Sequence, residues 1–165
     1  MPTLPRQPFA IFLALAFALA PIVAAGETST IFIVRHAEKA DTGEKDPDLS
    51  EAGRARAELL GKMLKDANIE TIYATEFKRT QQTATALART IGIETTIVPA
   101  SETASVAEKL KAARGNALVV GHSNSVPELI KALEIPTQIT INDTDYDNLF
   151  IVVRDKGSRL IRLHY

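Results

Sequence analysis

From Thr30 onward, short apolar runs alternate with stretches in which apolar residues recur every three or four positions. That is the pattern of strands laid between helices in an α/β sheet. Thr30 to Val34 predicts a first strand, and the Gly and Pro of Asp41 to Asp48 predict a loop. Ser50 offers an N-cap to a helix whose inner face would carry Ala52, Leu59, Leu60, Met63 and Ala67. Thr71 to Thr75 predicts a second strand, and Phe77 to Ile91 a helix with Thr80, Ala84, Leu87 and Ile91 on one face, ended by Gly92. A third strand over Thr95 to Val98 stops at Pro99, and a helix follows from Ser101 to Arg114. Ala117 to Val120 predicts a fourth strand. Ser125, with Pro127 and Glu128 behind it, has the spacing of a capping box for a helix to about Leu133. Asn148 to Val153 and Arg159 to His164 flank Lys156-Gly157 and predict a terminal hairpin.

The first 25 residues follow a different pattern. Arg6 is their one charged side chain, Phe9 to Ala20 is an apolar stretch too short to span a bilayer comfortably, and Val23-Ala24-Ala25 supplies the small residues a signal peptidase reads. Residues 1–25 are therefore expected to be a signal peptide and 26–165 one domain, placed in the periplasm or secreted. The alternative is a retained N-terminal anchor. No cysteine is present for a lipid anchor or a disulfide, so about 140 residues must be held by their core alone.

The whole chain has 19 Lys+Arg against 20 Asp+Glu, and loss of Arg6 with the leader would widen that mild acidic excess. Nucleic acid and anionic membrane, which select basic surfaces, are not expected as partners. No stable membrane insertion is expected after cleavage, and oligomeric state is not legible here.

Arg35-His36 follows the first strand, Arg79 follows the second, and His122 follows the fourth. If these strands are parallel, all four side chains reach one edge of the sheet, where α/β proteins do chemistry. Two arginines and two histidines there would make a positive pocket suited to a phosphate dianion. A histidine between arginines has its protonated form disfavoured by like charge, so His36 should be neutral and nucleophilic. Phosphoryl transfer then needs positioning and charge neutralisation, which these groups supply without a metal or cofactor.

Four segments in order, Arg35-His36-Ala37-Glu38, Leu49-Ser50-Glu51-Ala52-Gly53, Arg79-Thr80-Gln81-Gln82-Thr83-Ala84 and Val119-Val120-Gly121-His122-Ser123, resemble the landmarks of the histidine phosphatase superfamily, also called phosphoglycerate mutase-like. The resemblance implies a three-layer α/β sandwich with a mostly parallel central sheet. It also implies a phosphohistidine intermediate on His36, phosphate held by Arg35 and Arg79, and a hydrogen bond to phosphate from His122, with Ser123 beside it.

Departures accompany the resemblance. Ala37 stands where most members have glycine, which makes a positive φ there less expected. Lys39 and Thr42 occupy positions where many members bind phosphate with neutral side chains. Lys39 either adds a charge or is solvated. The proton donor of the larger enzymes follows the third strand, about where Glu102 lies, and Glu38 is a second candidate, although dipole complementarity alone would place a glutamate like Glu102 in a first helical turn. Should neither serve, phosphohistidine or acyl phosphates would be favoured as substrates, whereas export points to envelope phosphates and scavenged esters.

The leading expectation is an exported, cofactor-independent phosphatase. A catalytically weak or inactive phosphate-ligand binding protein of the same fold is the alternative. A mutase would be expected to carry long insertions that this chain lacks. A metal hydrolase on His36, Glu38 and His122 lacks a ligand pair at helical spacing and would meet repulsion from the arginines. His164 is expected to be structural or exposed. Asp143, Asp145 and Asp147 form a polar loop that would rim the pocket rather than a calcium site, and Arg54 and Arg56 are expected to be solvated.

Overall fold

The computed structural model describes residues 28–165, so the leader expected over residues 1–25 lies outside the described residues. Six strands form one sheet in the order β3-β2-β4-β1-β5-β6. These are β1 (Ser29–Arg35), β2 (Ile69–Ala74), β3 (Thr95–Ile97), β4 (Asn116–Gly121), β5 (Asn148–Arg154) and β6 (Ser158–His164). β1 to β4 run parallel, whereas β5 lies antiparallel on β1 and closes a hairpin with β6.

The helices are α1 (Glu51–Leu64), α2 (Lys78–Ile91), α3 (Thr103–Ala112) and α4 (Ser125–Ala132). Alternation within the strands builds two cores. Ile31, Ile33, Ala117 and Val119 pack with Val106, Leu110, Leu129 and Ile130 of α3 and α4. Val34, Leu118 and Val120 turn the other way, onto Leu60 and Leu64 of α1 and Ala84 and Leu87 of α2. A sheet covered on both faces explains why its central strands read as continuous apolar runs rather than as alternating ones. At about 1.5–3 kcal/mol for each large side chain fully buried, these layers supply the drive that disulfides do not.

Several expectations need correction. The inner face of α1 is Gly53, Ala57, Leu60, Gly61 and Leu64, while Leu59 and Met63 are 44% and 43% exposed and Ala52 is also exposed. The helix packs by close approach, with Gly61 against the backbone of Ala86 and Leu87. Of the expected face, Leu60 is fully buried and Ala67 packs partly on the core, whereas Ala52, Leu59 and Met63 face outward. Ser50 does cap α1, its Oγ accepting from Gly53 N–H at 3.1 Å.

Ser125 does not cap α4. The backbone is already helical at Asn124, and Ser125 Oγ instead accepts from His122 N–H at 2.9 Å. The segment from Ser101 opens as a 3-10 turn, Ala100–Glu102, before α3, and α3 stops short of Arg114. β2 starts two residues earlier than expected and releases Thr75, whose hydroxyl serves the site described next.

Candidate active site

The register of the parallel strands assembles the site. Arg35 pairs with Gly121 across β1 and β4, and His36 N–H donates to the Gly121 carbonyl at 2.9 Å. The next residues, His36 and His122, therefore leave the carboxyl edge side by side, with ring centroids 5.4 Å apart at 64°. Together with Phe77, Arg79, Ala100, Ser123 and Asn124 they line an open cleft of about 310 Å³.

His36 is 5% exposed. Its Nδ1 lies 2.8 Å from the Ala37 carbonyl oxygen, which can only accept. Nδ1 thus carries the hydrogen, and Nε2 is left with a free lone pair. Burial, partly offset by that bond and reinforced by Arg35, Arg79 and His122, lowers the pKa to about 3. The neutral ring expected from the sequence is present, but desolvation is the larger cause and like charge the smaller.

His122 is held from behind. Its Nε2 lies 2.9 Å from Thr75 Oγ1, which lies 2.9 Å from Thr80 Oγ1. Thr80 donates to the carbonyls of Thr75 and Phe77, so its oxygen is free to accept from Thr75, and Thr75 in turn accepts from His122 Nε2–H. Burial first, then Arg79, lowers the pKa of His122 to about 4, against the opposing charge of Glu76.

Arg79 sits in the first turn of α2 with its Cζ 4.3 Å from the Phe77 ring centroid and its Nη1 3.4 Å from Asp46 Oδ1. Both Asp46 carboxylate oxygens also accept from Lys78 N–H at 3.2 Å. Arg35 is buried at 6% exposure and is bound by the carbonyls of Asn142, Asp143 and Asp145. The Ala37 position takes its methyl with φ outside the positive region, and its N–H donates to Thr83 Oγ1 at 2.9 Å.

The remaining candidates divide. Ser123 lines the cleft. Glu38 is engaged in an ion pair: Arg56 binds both of its oxygens, at 2.7 to 3.0 Å. Burial works to raise its pKa, but the bonds from Arg56 prevail and hold the carboxyl below its usual range. Arg56 is correspondingly not solvated, since it also donates to the Tyr165 carbonyl at 2.6 Å; Arg54 is exposed.

Glu102 is exposed on the 3-10 turn and is not among the residues lining the cleft. Lys39 and Thr42 are exposed outside it as well, Lys39 in a bridge to Leu49 and Thr42 accepting weakly from Glu44 N–H at 3.4 Å. His164 pairs with Asp147 at the surface, at 3.0 Å. Among the described residues, no group of three or more His, Cys, Asp or Glu is arranged to hold a metal ion.

Sequence reasoning gives no site role to Thr75, Phe77 or Asp46, and it expects the loop around Tyr146 to rim the pocket without giving that ring a role. Phe77 and Thr75 had a usable signal, lying within four residues of Arg79. Asp46 and Tyr146 reach the site only through tertiary folding of loops.

What fold and cleft define is an α/β protein with two arginines and two neutral histidines gathered at the carboxyl edge of its sheet. Residues 31–102 match the family model of the histidine phosphatase superfamily (branch 1). A 70-residue stretch is 37% identical to phosphoserine phosphatase 1 of Hydrogenobacter thermophilus, covering 39% of this chain and 33% of that relative. The matched stretch thus spans about a third of the length of the curated relative.

Among solved structures, the protein histidine phosphatase SixA complexed with tungstate superposes with a TM-score of 0.67 at 19% identity, over 82% of this chain and 96% of that one. A mycobacterial glucosyl-3-phosphoglycerate phosphatase with inorganic phosphate superposes with a TM-score of 0.63 at 14% identity, over 82% of this chain and 96% of that one. These likenesses establish the fold. His122 lies beyond the family-model match, and its place beside His36 comes from the strand register.

Proposed function

We propose that this chain is a phosphatase that transfers a phosphoryl group to His36 and then to water. The observation that carries the reading is the fixed tautomer of His36: a buried ring, neutral to about pH 3, with Nδ1–H tied to the Ala37 carbonyl and Nε2 free beside His122 and Arg79. Nε2 attacks phosphorus in line while the bond to the leaving oxygen breaks. Water then displaces His36 from the same phosphorus, releasing inorganic phosphate. Arg79 and Arg35 neutralise the charge on the non-bridging oxygens.

Of the residues that line the cleft, His122 is the one that can exchange a proton with the leaving oxygen. A phosphate dianion beside it favours its protonated form, reversing the effect of Arg79. With no carboxylic acid in that lining, good leaving groups are turned over best. A phosphorylated nitrogen fits this chemistry, and so do activated esters. SixA is described as a protein histidine phosphatase and the curated relative as a phosphoserine phosphatase; phosphomonoesters and phosphohistidine are therefore the two substrate classes to compare.

Residues 1–25 are taken as an export leader, which places the substrate outside the cytoplasmic membrane, among envelope phosphates or scavenged esters. N-terminal sequencing of the protein recovered from a periplasmic fraction tests this, with a start at Gly26 expected and an intact Met1 contradicting it. The activity is tested with p-nitrophenyl phosphate and a phosphohistidine substrate, comparing the parent with His36→Ala. Loss of turnover by at least about a thousandfold is expected for removal of a nucleophile. Equal rates would refute an enzymatic role. Phosphate binding without turnover in the parent would instead identify a binding protein.

A further inference from the structure

Arg35 is fastened along one edge and free along another. Its Nη1 donates to three backbone carbonyls of a single loop, Asn142 at 2.8 Å, Asp143 at 3.0 Å and Asp145 at 3.4 Å. Its Cζ lies 4.2 Å from the centroid of the Tyr146 ring. Nε, by contrast, is buried and has no hydrogen-bond partner. Carbonyls converging on one terminal nitrogen set the rotation of a planar guanidinium, and a ring against its face sets the tilt. Together they fix the plane of the guanidinium and leave its Nε edge without a protein acceptor.

The loop has its own internal bracing. Asp145 Oδ2 accepts from the backbone N–H and from Nδ2 of Asn142, each at 2.9 Å, and Asp145 N–H donates to the Asn142 carbonyl at 3.0 Å. The same Tyr146 ring lies 6.0 Å from the His36 ring. Strap, guanidinium and the proposed nucleophile therefore meet at one place, although residues 142–146 lie outside the segment matched to the family.

We propose that Tyr146, carried on the strap Asn142 to Tyr146, is a positioning residue that holds Arg35 with its Nε edge turned to the phosphoryl oxygens on His36. This rests on the reading of Arg35 as a phosphate ligand and adds to it the device that aims it. Tyr146 makes no bond in the reaction; it acts through Arg35 alone. A strap that merely closes the end of the sheet would affect stability but would not change the affinity for phosphate.

The test measures the Kd of inorganic phosphate by titration calorimetry, and kcat and KM for p-nitrophenyl phosphate, with melting temperatures recorded alongside. In Tyr146→Leu, phosphate affinity is expected to fall about tenfold and KM to rise in parallel, with kcat changing less, as follows from losing a stacked cation. Tyr146→Phe, which keeps the ring, is expected to recover affinity to within about twofold. Asp145→Ala loosens the bracing at a solvent-facing position and is expected to weaken phosphate about threefold.

Folded Tyr146→Leu and Asp145→Ala proteins with unaltered phosphate affinity would overturn the proposal. Should Tyr146→Leu fail to fold, Asp145→Ala decides alone. A parent protein that binds no phosphate overturns the anion-site reading and the strap with it. Binding that ignores the strap overturns only the strap.

Discussion

The imidazoles of His36 and His122 stand 5.4 Å apart because Arg35 and Gly121, the residues before them, are register partners in adjacent parallel strands. The separation is set by backbone pairing at the sheet's centre, where Ile33, Val34, Leu118 and Val120 are fully buried. A slip of one residue would turn every side chain of a strand to the opposite face, so the core that fixes the register also fixes the site.

The close seat of α1 behind the Arg-His turn makes Gly53→Ala informative. A Cβ at Gly53 would fall on the backbone carbonyl of Glu38, the same carbonyl that accepts from Ser50 N–H at 2.9 Å. Alanine favours a helix interior over glycine by about 1 kcal/mol, but a clash with backbone costs about 1–3 kcal/mol and leaves no flexible side chain to move. Net destabilisation is expected in chemical denaturation. A stabilised variant would show that α1 is not packed on the turn.

Both histidines tie stability to pH with the same sign. Their ordinary value of 6.5 is lowered in the fold, to about 3 for His36 and about 4 for His122. As pH falls below 6.5 the unfolded chain takes up protons that the folded chain refuses. Stability contributed by the neutral rings is thus full above pH 6.5 and declines by about 1.4 kcal/mol per pH unit for each, until the folded rings protonate. Denaturation curves between pH 7 and 4 should show a shallower decline for His36→Gln than for the parent. Parallel declines would mean that His36 is not buried as a neutral ring.

Glu38 and Arg56 are expected to act on stability rather than on chemistry. Their side chains are 22% and 23% exposed and 2.7 Å apart, so removing one partner leaves the other partly desolvated. A double-mutant cycle with Glu38→Gln and Arg56→Met is expected to give about 1–2 kcal/mol of coupling. The pH profile of p-nitrophenyl phosphate hydrolysis should be the same in Glu38→Gln as in the parent. Loss of one limb of that profile would return Glu38 to the role of general acid.

The fold was legible because it is written in strong local signals. Apolar runs bounded by polar residues, Gly or Pro mark the strands, Gly92 ends α2 in a left-handed conformation, and Lys156-Gly157 separates the hairpin strands. Site residues that follow strands directly were legible for the same reason. What stayed hidden depends on partners distant in sequence: Arg56 and Glu38 pair across 18 residues, and the Tyr146 ring reaches Arg35 from a loop more than 100 residues away. The capping-box reading of Ser125 failed through competition, since one hydroxyl oxygen was claimed by His122 N–H. The inner face of α1 is only partly legible: Leu60 is buried as expected, but Gly53 and Gly61, which permit close packing, carry no hydrophobic signal.

The most direct measurement mixes excess protein with p-nitrophenyl phosphate, quenches within one turnover under alkaline conditions, where a phosphorylated imidazole survives, and maps the modified peptide by mass spectrometry. A single phosphoryl group on His36, absent from His36→Ala and lost on the timescale of phosphate release, is the expected result. Turnover that proceeds with no phosphoryl group on His36, or with one on another residue, would contradict nucleophilic catalysis by this histidine.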